Sequence, residues 1–231
     1  MAAQPLEILY EDDSLIAINK PHGLLVHRTK IAADATEFAV QLLRDQIGQR
    51  VFPVHRLDRK TSGVLLFAKT EAANSYMQQR FLNKELSKTY HALVRGYTKA
   101  EGTIDYALTD ASNKTKAAVT HYKTLEQYEL DLPFGKHNTS RYSLVELAPE
   151  TGRFHQLRKH MAHIFHPIIG DRPHGCNKQN RLWKEKYGMD KMLLHASRLE
   201  FSNENGLDIV IAAPKSQLFQ EVLAMLRKCM V

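Results

Sequence analysis

A single carboxylate lies within a cationic stretch of the sequence. The segment HRLDRKTSG, residues 55–63, places Asp58 between Arg56 and Arg59, and it joins the apolar runs VFPV and VLLFA. A carboxylate flanked by apolar strands loses hydration unless a cation pairs with it. An arginine partner would keep Asp58 ionised, as a nucleophile or a base requires. The alternative is structural, with Asp58 capping the turn that follows it.

A second group of reactive side chains lies in TGRFHQLRKHMAHIFHPIIGD, residues 151–171. Helical spacing places Arg158 within one turn of His155 and Met161, and Arg153 near the start of the helix. Apolar neighbours predict that Arg158 points inward, and a buried arginine nearly always has an anionic partner. That partner could be Asp58 or a phosphate.

The same segment is rich in histidine, which raises the question of a metal site. It lacks the spacing of a zinc-binding H-E-x-x-H helix and offers no carboxylate ligand on the helix. The pattern therefore favours a basic helix that faces RNA, and we predict no metal. The histidines concerned are His155, His160, His163 and His166.

Two further residues have side chains suited to a site. Tyr90, in KTYHALVRG, alternates with apolar neighbours on a predicted strand, which an ordinary core tyrosine would also do. Lys20, in NKPHGLLVH, precedes a turn. The chain has no glycine-rich phosphate loop, dinucleotide fingerprint or serine nucleophile elbow, so we predict that it needs no cofactor.

The elements that must position these residues are mostly strands with helices between them. This order predicts an α+β domain with a mixed or antiparallel sheet. No linker divides the chain, so we expect one domain over residues 1–231. Strands are predicted in LEILYED, SLIAINKP, VFPVHRLD, GVLLFAKT, KTYHALVRGY, AAVTHYKTLEQYEL, SRYSLVELAP, MLLHASRLEF and LDIVIAA, and helices in ATEFAVQLLRDQIG, EAANSYMQQRFLNKEL, RFHQLRKHMAHIF and SQLFQEVLAMLRKCM.

Charge favours a polyanionic partner. The net charge is +7, and residues 151–198 contain ten Lys or Arg against three acidic residues, a surplus equal to that of the whole chain. A solvated basic face is the alternative, but the skew favours an RNA or DNA surface. Two cysteines without C-x-x-C spacing are typical of a reducing compartment, and neither a signal peptide nor a membrane span is predicted, so we expect a cytoplasmic protein.

The segment GDRPHGCNKQNRLWKEKYGMDK is predicted to be a long loop, because it shows no clear periodicity. A loop of that length in a compact domain is usually functional or disordered. Its cations predict contacts with an RNA backbone, and Trp183 and Tyr187 offer stacking surfaces among them. The predicted backbone contacts are Arg181, Lys184 and Lys186.

Four segments in this order resemble the RluA-type pseudouridine synthases: NKPHGLLVH, HRLDRKTSGVLLFAK, KTYHALVRG and TGRFHQLRKHMAHIFHPIIGD. The combination of HRLDxxTSG with GRxHQLRxH is highly specific. The resemblance extends from about Leu6 to the late strands. It implies a catalytic fold with a long, mixed, bent β-sheet flanked by helices, and an active-site cleft across the sheet.

The implied reaction is isomerisation of a uridine within RNA, without a cofactor. By this resemblance Asp58 is the essential carboxylate, which either attacks the sugar or base or removes a sugar proton. Arg158 matches the arginine that pairs with it, and Tyr90 the tyrosine that stacks on uracil and takes the C5 proton. Substrate contacts are predicted for Arg56, which enters the RNA stack, for Leu194, which lies beside the base, and for Lys20, Arg153 and His55.

Within the family, the chain is most similar to the branch that modifies uridine 65 of tRNA, which has His174 where most relatives have tyrosine. That branch lacks an N-terminal S4-like RNA-binding module, and none is expected here. The expected partner is tRNA, bound by a monomer that needs no partner protein. The alternatives are a ribosomal-RNA pseudouridine synthase and a catalytically idle RNA-binding or RNA-folding protein.

Overall fold

The computed structural model describes residues 5–28 and 36–228 of the chain. By the density of its internal contacts, the chain divides into two compact units. The first comprises Met1–Lys88 and Ala196–Pro214, and the second comprises Thr89–His195 and Lys215–Val231. Cys229 and residues 1–4 lie outside the described residues.

In its described residues, the first unit contains β-strands of one sheet and two helices. Its strands follow the order β1–β2–β4–β11, with β3 paired to β4 and β12 paired to β11. The β1–β2, β2–β4, β3–β4 and β11–β12 pairs are antiparallel. The bounds are β1 Ile8–Glu11, β2 Leu15–Lys20, β3 Phe52–Pro53, β4 Ser62–Ala68, β11 Leu194–Ser202, β12 Asp208–Ala212, α1 Ala39–Ile47 and α2 Glu71–Leu82.

Continuous apolar sequence makes β4 the centre of this unit, because all seven of its residues are buried. Helix α2 begins at a side-chain cap in which Thr70 accepts from the backbone N–H of Ala73. A threonine in this position satisfies one of the four N–H groups that a helix start leaves unpaired. The helix then packs Ala73 and Met77, which lie four residues apart on one face, into the core of the unit.

The described residues of the second unit contain an antiparallel sheet in the order β5–β10–β9–β6, a short β7–β8 hairpin and three helices. Strands β5 and β11 each have residues in both units. The bounds are β5 Ser87–Arg95, β6 Glu101–Asp105, β7 Leu108–Thr109, β8 Thr115–Lys116, β9 Val119–Leu130, β10 Ser140–Pro149, α3 Gln156–His163, α4 Asn177–Tyr187 and α5 Gln217–Lys228.

Two apolar clusters hold the helices of the second unit. One joins α4 and α5 to the sheet and contains Trp183, Tyr142 and Phe219. The other joins α3 to the sheet through Leu157 and Met161. Helix α3 is therefore positioned by the apolar residues on either side of Arg158.

The predicted α+β class is confirmed, and most of the predicted elements are present at about the expected bounds. The prediction of a single domain over residues 1–231 stays a prediction. No helix in the described parts of the chain has the length and apolar character to cross a membrane.

Two structural predictions were wrong. The supposed loop before β11 contains the helix α4, which ends at Gly188 in a left-handed conformation. The predicted strand VFPVHRLD is limited to Phe52–Pro53, and the chain is irregular from Val54 to Asp58. Strand β6 and the β7–β8 hairpin were not predicted.

Candidate active site

The Asp58 bend connects β3 to β4 in the first unit. Asp58 is partly buried, and its carbonyl oxygen accepts a hydrogen bond from the backbone N–H of Thr61 at 3.0 Å. Gly63 closes the bend at φ +108, and a Cβ at this position would lie 2.1 Å from the carbonyl oxygen of Ala196. Only glycine fits there, which explains the Thr-Ser-Gly sequence between the carboxylate and the buried strand.

Lys20 lies beneath this bend and is completely buried. Its Nζ donates to three backbone carbonyl oxygens, those of Pro21 at 3.0 Å, Leu24 at 2.8 Å and Arg59 at 3.2 Å. The side chain therefore ties the NKPHG turn to the residue that follows Asp58. Burial lowers the pKa of Lys20 to about 7, and the charge of Asp58 opposes this shift.

Two other predicted substrate contacts lie next to Asp58 in the chain. Arg56 is exposed, as a side chain that enters an RNA stack would have to be. His55 is partly buried, stacks on Phe81 at 5.2 Å, and accepts a hydrogen bond at Nε2 from the backbone N–H of Leu66 at 3.1 Å. Burial first and the Lys88 charge second lower the pKa of His55 to about 4, so this imidazole is neutral at neutral pH.

Tyr90 lies in the second unit, on β5, where it pairs in register with Leu147 of β10. It is partly buried and packs against the apolar cluster that also contains Leu194 and Met161. Leu194 is itself 3% exposed. The predicted stacking tyrosine and the predicted apolar wall thus belong to the same cluster, next to helix α3.

The guanidinium of Arg158 forms a bidentate ion pair with Asp171. Arg158 Nε lies 2.8 Å from Oδ2 and Nη2 lies 2.7 Å from Oδ1 of this carboxylate. The two side chains are 5% and 1% exposed. The prediction that Arg158 points inward is confirmed, and Asp171 is an anionic partner that the sequence reasoning missed. The GD of GDRPHG, placed just after the helix, was the available signal.

The expected pairing of Arg158 with Asp58 stays a prediction. The first unit contains Asp58, Arg56, His55 and Lys20, and the second unit contains Tyr90, Arg158, Arg153 and Leu194.

The segment before α3 presents aromatic and basic groups. Arg153 is exposed, and its Nε donates to the carbonyl oxygen of Ala117 at 3.1 Å. His155 has a positive φ of 56°, stacks against the exposed ring of Phe154, and shares a hydrogen bond of 2.9 Å with His174. His174 thus places a ring nitrogen within hydrogen-bond distance of His155.

The predicted RNA-backbone residues lie on α4. Arg181, Lys184 and Lys186 are all exposed. The prediction that Trp183 offers a stacking surface was wrong, because its side chain is 0% exposed and its Nε1 donates to the hydroxyl of Tyr142 at 3.0 Å.

The histidine-rich segment forms internal contacts. Both ring nitrogens of His160 are hydrogen-bonded, at 3.0 Å to the hydroxyl of Thr120 and at 2.9 Å to the carbonyl oxygen of Tyr106. Within residues 5–28 and 36–228, no group of three or more His, Cys, Asp or Glu side chains is arranged to hold a metal ion.

Comparison with known protein families finds a match that covers the predicted site residues of both units. Residues 14–163, which include Lys20, Asp58, Tyr90 and Arg158, match the family described as RNA pseudouridylate synthase. The chain belongs to this family. It is therefore an RNA-modifying isomerase, and the predicted resemblance to the RluA type is confirmed.

Curated relatives in this pseudouridylate synthase family are similar over nearly their whole length. The chain is 45% identical to "tRNA pseudouridine synthase C" of Vibrio vulnificus, with 94% of each chain covered. It is 49% identical to the protein of that name from Haemophilus ducreyi, with 93% of each covered.

Solved structures of the family give the same fold. "Human RNA Pseudouridylate Synthase Domain Containing 1" aligns with a TM-score of 0.73 at 23% identity, covering 98% of both chains. "Human RNA Pseudouridylate Synthase Domain Containing 4" aligns with a TM-score of 0.73 at 25% identity, covering 96% of this chain and 93% of that one. These similarities confirm the pseudouridine synthase fold for the chain.

Proposed function

We propose that this chain converts a uridine of tRNA, at position 65, to pseudouridine. The observation that carries the proposal is the 45–49% identity, over more than nine-tenths of the chain, to relatives named tRNA pseudouridine synthase C. We further propose that both units form one catalytic domain, active as a cytoplasmic monomer without a cofactor.

In the proposed mechanism, Asp58 acts on the target nucleotide as the essential carboxylate. A uridine paired within a stem must leave the stack before its glycosidic bond can be reached. The exposed Arg56 occupies the space that the base leaves, while Leu194 and the ring of Tyr90 contact the uracil. The positive charge of Arg158 keeps the Asp58 carboxylate ionised. The N-glycosidic bond breaks, the uracil turns, and a bond forms from C5 to the sugar. The C5 proton then leaves through the oxygen of Tyr90 while N1 takes up a proton, so that the product is an isomer of the uridine.

The other predicted contacts support these groups. Lys20 and His55 hold the backbone around Asp58, which is consistent with their internal hydrogen bonds. Arg153 and the cations of α4, namely Arg181, Lys184 and Lys186, contact the RNA backbone. Contacts of this kind determine affinity and its salt dependence, and they are expected to affect the chemical step little.

Replacement of Asp58 by Asn tests the proposal. The variant should form no pseudouridine, while its affinity for tRNA should stay within about threefold of wild type because phosphate contacts dominate binding. Pseudouridine would be mapped in transcribed tRNA and in ribosomal RNA after incubation with each protein. Product in ribosomal RNA alone would redirect the substrate assignment. Absence of product in every RNA with the wild type would indicate an RNA-binding protein without catalysis.

Replacement of Tyr90 by Phe separates stacking from proton transfer. Phenylalanine keeps the ring and its packing against Leu194 but removes the hydroxyl, so we expect at least a hundredfold lower product formation with unchanged tRNA affinity. Quenched-flow measurement of product and of RNA-bound protein would show the effect. Normal turnover would mean that Tyr90 serves only in packing.

A further inference from the structure

Helix α4 and the loop before it enclose a cavity of about 250 Å³ in the second unit. Three cations line it, Arg172 from the loop and Arg181 and Lys184 from the helix, together with the amide of Asn177. Asp190 is the one acidic residue among the lining side chains. The cavity thus has an excess of two positive charges within a small volume.

The geometry of α4 brings these groups to one face. Asn177, Arg181 and Lys184 follow one another at spacings of four and three residues, which places them in a row along the helix. The core fixes another face, because Gln179 and Trp183 both donate to the hydroxyl of Tyr142, at 2.5 Å and 3.0 Å. The cationic row is therefore presented by a helix that cannot rotate freely.

The three cations that line the cavity are not paired with acidic residues in the described part of the chain. Within residues 5–28 and 36–228, Arg172, Arg181 and Lys184 form no salt bridge. Arg158, which belongs to the same unit, shows the contrasting arrangement, because its guanidinium forms an ion pair with Asp171. Cations that converge on a cavity repel one another, and an anion in the cavity would relieve that repulsion.

We propose that this cavity binds a single backbone phosphate of the RNA substrate. Arginine guanidinium groups donate two parallel N–H bonds that match phosphate oxygens, and lysine adds a point charge. The inference rests on the proposed function, which it deepens by identifying the residues that hold one phosphodiester. It adds Arg172 and Asn177 to the predicted backbone contacts, while Lys186 lies outside the cavity.

The cavity has a defined connection to Arg158. The side chain of Asn180 accepts from the backbone N–H of Gly170 at 2.9 Å and donates to the carbonyl oxygen of Asp171 at 2.7 Å. Asp171 in turn holds the guanidinium of Arg158. A phosphate in the cavity would therefore be held at a fixed distance from Arg158, and the RNA would be bound in one register relative to it.

A salt series tests the proposal. Affinity for a transcribed tRNA with uridine at position 65 would be measured at KCl concentrations from about 50 to about 300 mM for wild type and for the triple variant Arg172→Ala, Arg181→Ala, Lys184→Ala. Because the three cations share one phosphate, the log–log slope should fall by about one unit. A fall of about three units would mean three separate contacts, and an unchanged slope would mean none. Either result overturns the proposal.

The control variant is Lys178→Ala. Lys178 is exposed on the same helix and carries the same charge as the lining cations, but it does not line the cavity. The log–log salt slope of tRNA affinity should therefore change by less than about half a unit in Lys178→Ala. A change as large as that of the triple variant would mean that α4 attracts RNA only through its overall charge.

Two further measurements identify the source of the phosphate and separate this inference from the proposed function. Inorganic phosphate, added at constant ionic strength, should weaken tRNA binding by wild type and not by the triple variant. A different outcome is that inorganic phosphate binds the cavity while wild type and the triple variant show the same salt slope of tRNA affinity. In that case the cavity binds only free anions, and the proposal is overturned. Failure of wild type to form pseudouridine would refute the proposed function, whereas a normal slope in an active triple variant would refute the phosphate site alone.

Discussion

The buried lysine of the first unit and the buried arginine of the second are satisfied by different kinds of partner. Lys20 donates to three backbone carbonyl oxygens. Arg158 donates to a carboxylate through two parallel bonds. The compact ammonium suits carbonyls that converge from several directions, and the planar guanidinium suits a carboxylate.

The difference shows how each unit uses its cation. Carbonyl groups bring no net charge, so the charge of Lys20 remains to act on Asp58, and its proton is easily lost because burial lowers its pKa to about 7. Asp171 holds the guanidinium of Arg158 through two parallel hydrogen bonds, and a guanidinium stays protonated at any ordinary pH. The first arrangement organises backbone around a reactive carboxylate, while the second fixes the direction of a side chain.

Breaking the arginine pair should have the larger effect on stability. Asp171→Asn keeps the size of the side chain but removes the carboxylate that pairs with the buried guanidinium of Arg158, and breaking a buried ion pair costs about 3–5 kcal/mol. Urea denaturation measures this loss. Glu200→Gln, which removes the exposed partner of Arg198, is the control and should cost less than about 1 kcal/mol. Similar losses in both variants would contradict the importance of the buried pair.

The same variant tests whether Asp171 positions Arg158 for the reaction. At a temperature where Asp171→Asn remains folded, its single-turnover rate should fall while its tRNA affinity is retained. If the rate is unchanged, Asp171 contributes only to stability.

Breaking the lysine site should have a smaller effect. Lys20→Met keeps the apolar stem but removes the Nζ donor from the carbonyl oxygens of Pro21, Leu24 and Arg59, which should cost about 1–3 kcal/mol. The carbonyl oxygen of Arg59 still accepts from the backbone N–H of Gly23 at 2.8 Å. No buried charge is left behind, so the loss stays below that of Asp171→Asn.

The pH dependence of this loss distinguishes the two cations further. Folded Lys20 loses its proton near pH 7 and the unfolded residue near 10.5, so the unfolded state binds more protons between these values. The Lys20 contribution therefore rises as pH increases through this window. The difference in unfolding free energy between wild type and Lys20→Met should grow from about pH 7 to about 10.5, whereas a constant difference would show that Lys20 stays protonated in the fold.

The sequence predicted the inward direction of Arg158 because apolar residues flank it at helical spacing. It predicted β4 from a continuous apolar run and β5 from the alternation of apolar and polar residues. Helix α4 was missed because its buried face consists of Gln179 and Trp183, which gives little hydrophobic pattern. Both side chains are satisfied by Tyr142, which is more than thirty residues away in the chain. Asp171 was missed as a partner of Arg158 for the same reason, since the pairing depends on tertiary structure.

Acid should reveal the smallest difference between the units, through one histidine in each. Burial is the main reason that the pKa values of His55 and His91 are both lowered from 6.5 to about 4. As the pH falls, histidine in the unfolded chain binds a proton at a higher pH than it does in the fold. The free energy of unfolding therefore decreases as the pH falls from 6.5 towards 4. Protonation of His55 would also remove the acceptor of the Leu66 N–H, whereas protonated His91 would gain an ion pair with Glu146, which lies 3.8 Å away.

We therefore expect His55 to contribute more to acid unfolding than His91. His55→Gln and His91→Gln would each be unfolded in urea at several pH values between about 4 and about 7. Glutamine can accept a hydrogen bond but does not titrate, so the decline of stability with falling pH should be shallower in both variants, and more so in His55→Gln. A decline as steep in His55→Gln as in wild type would show that protonation of this imidazole is not coupled to unfolding. An equal change in the two variants would mean that burial alone, without the bond to Leu66, accounts for the effect.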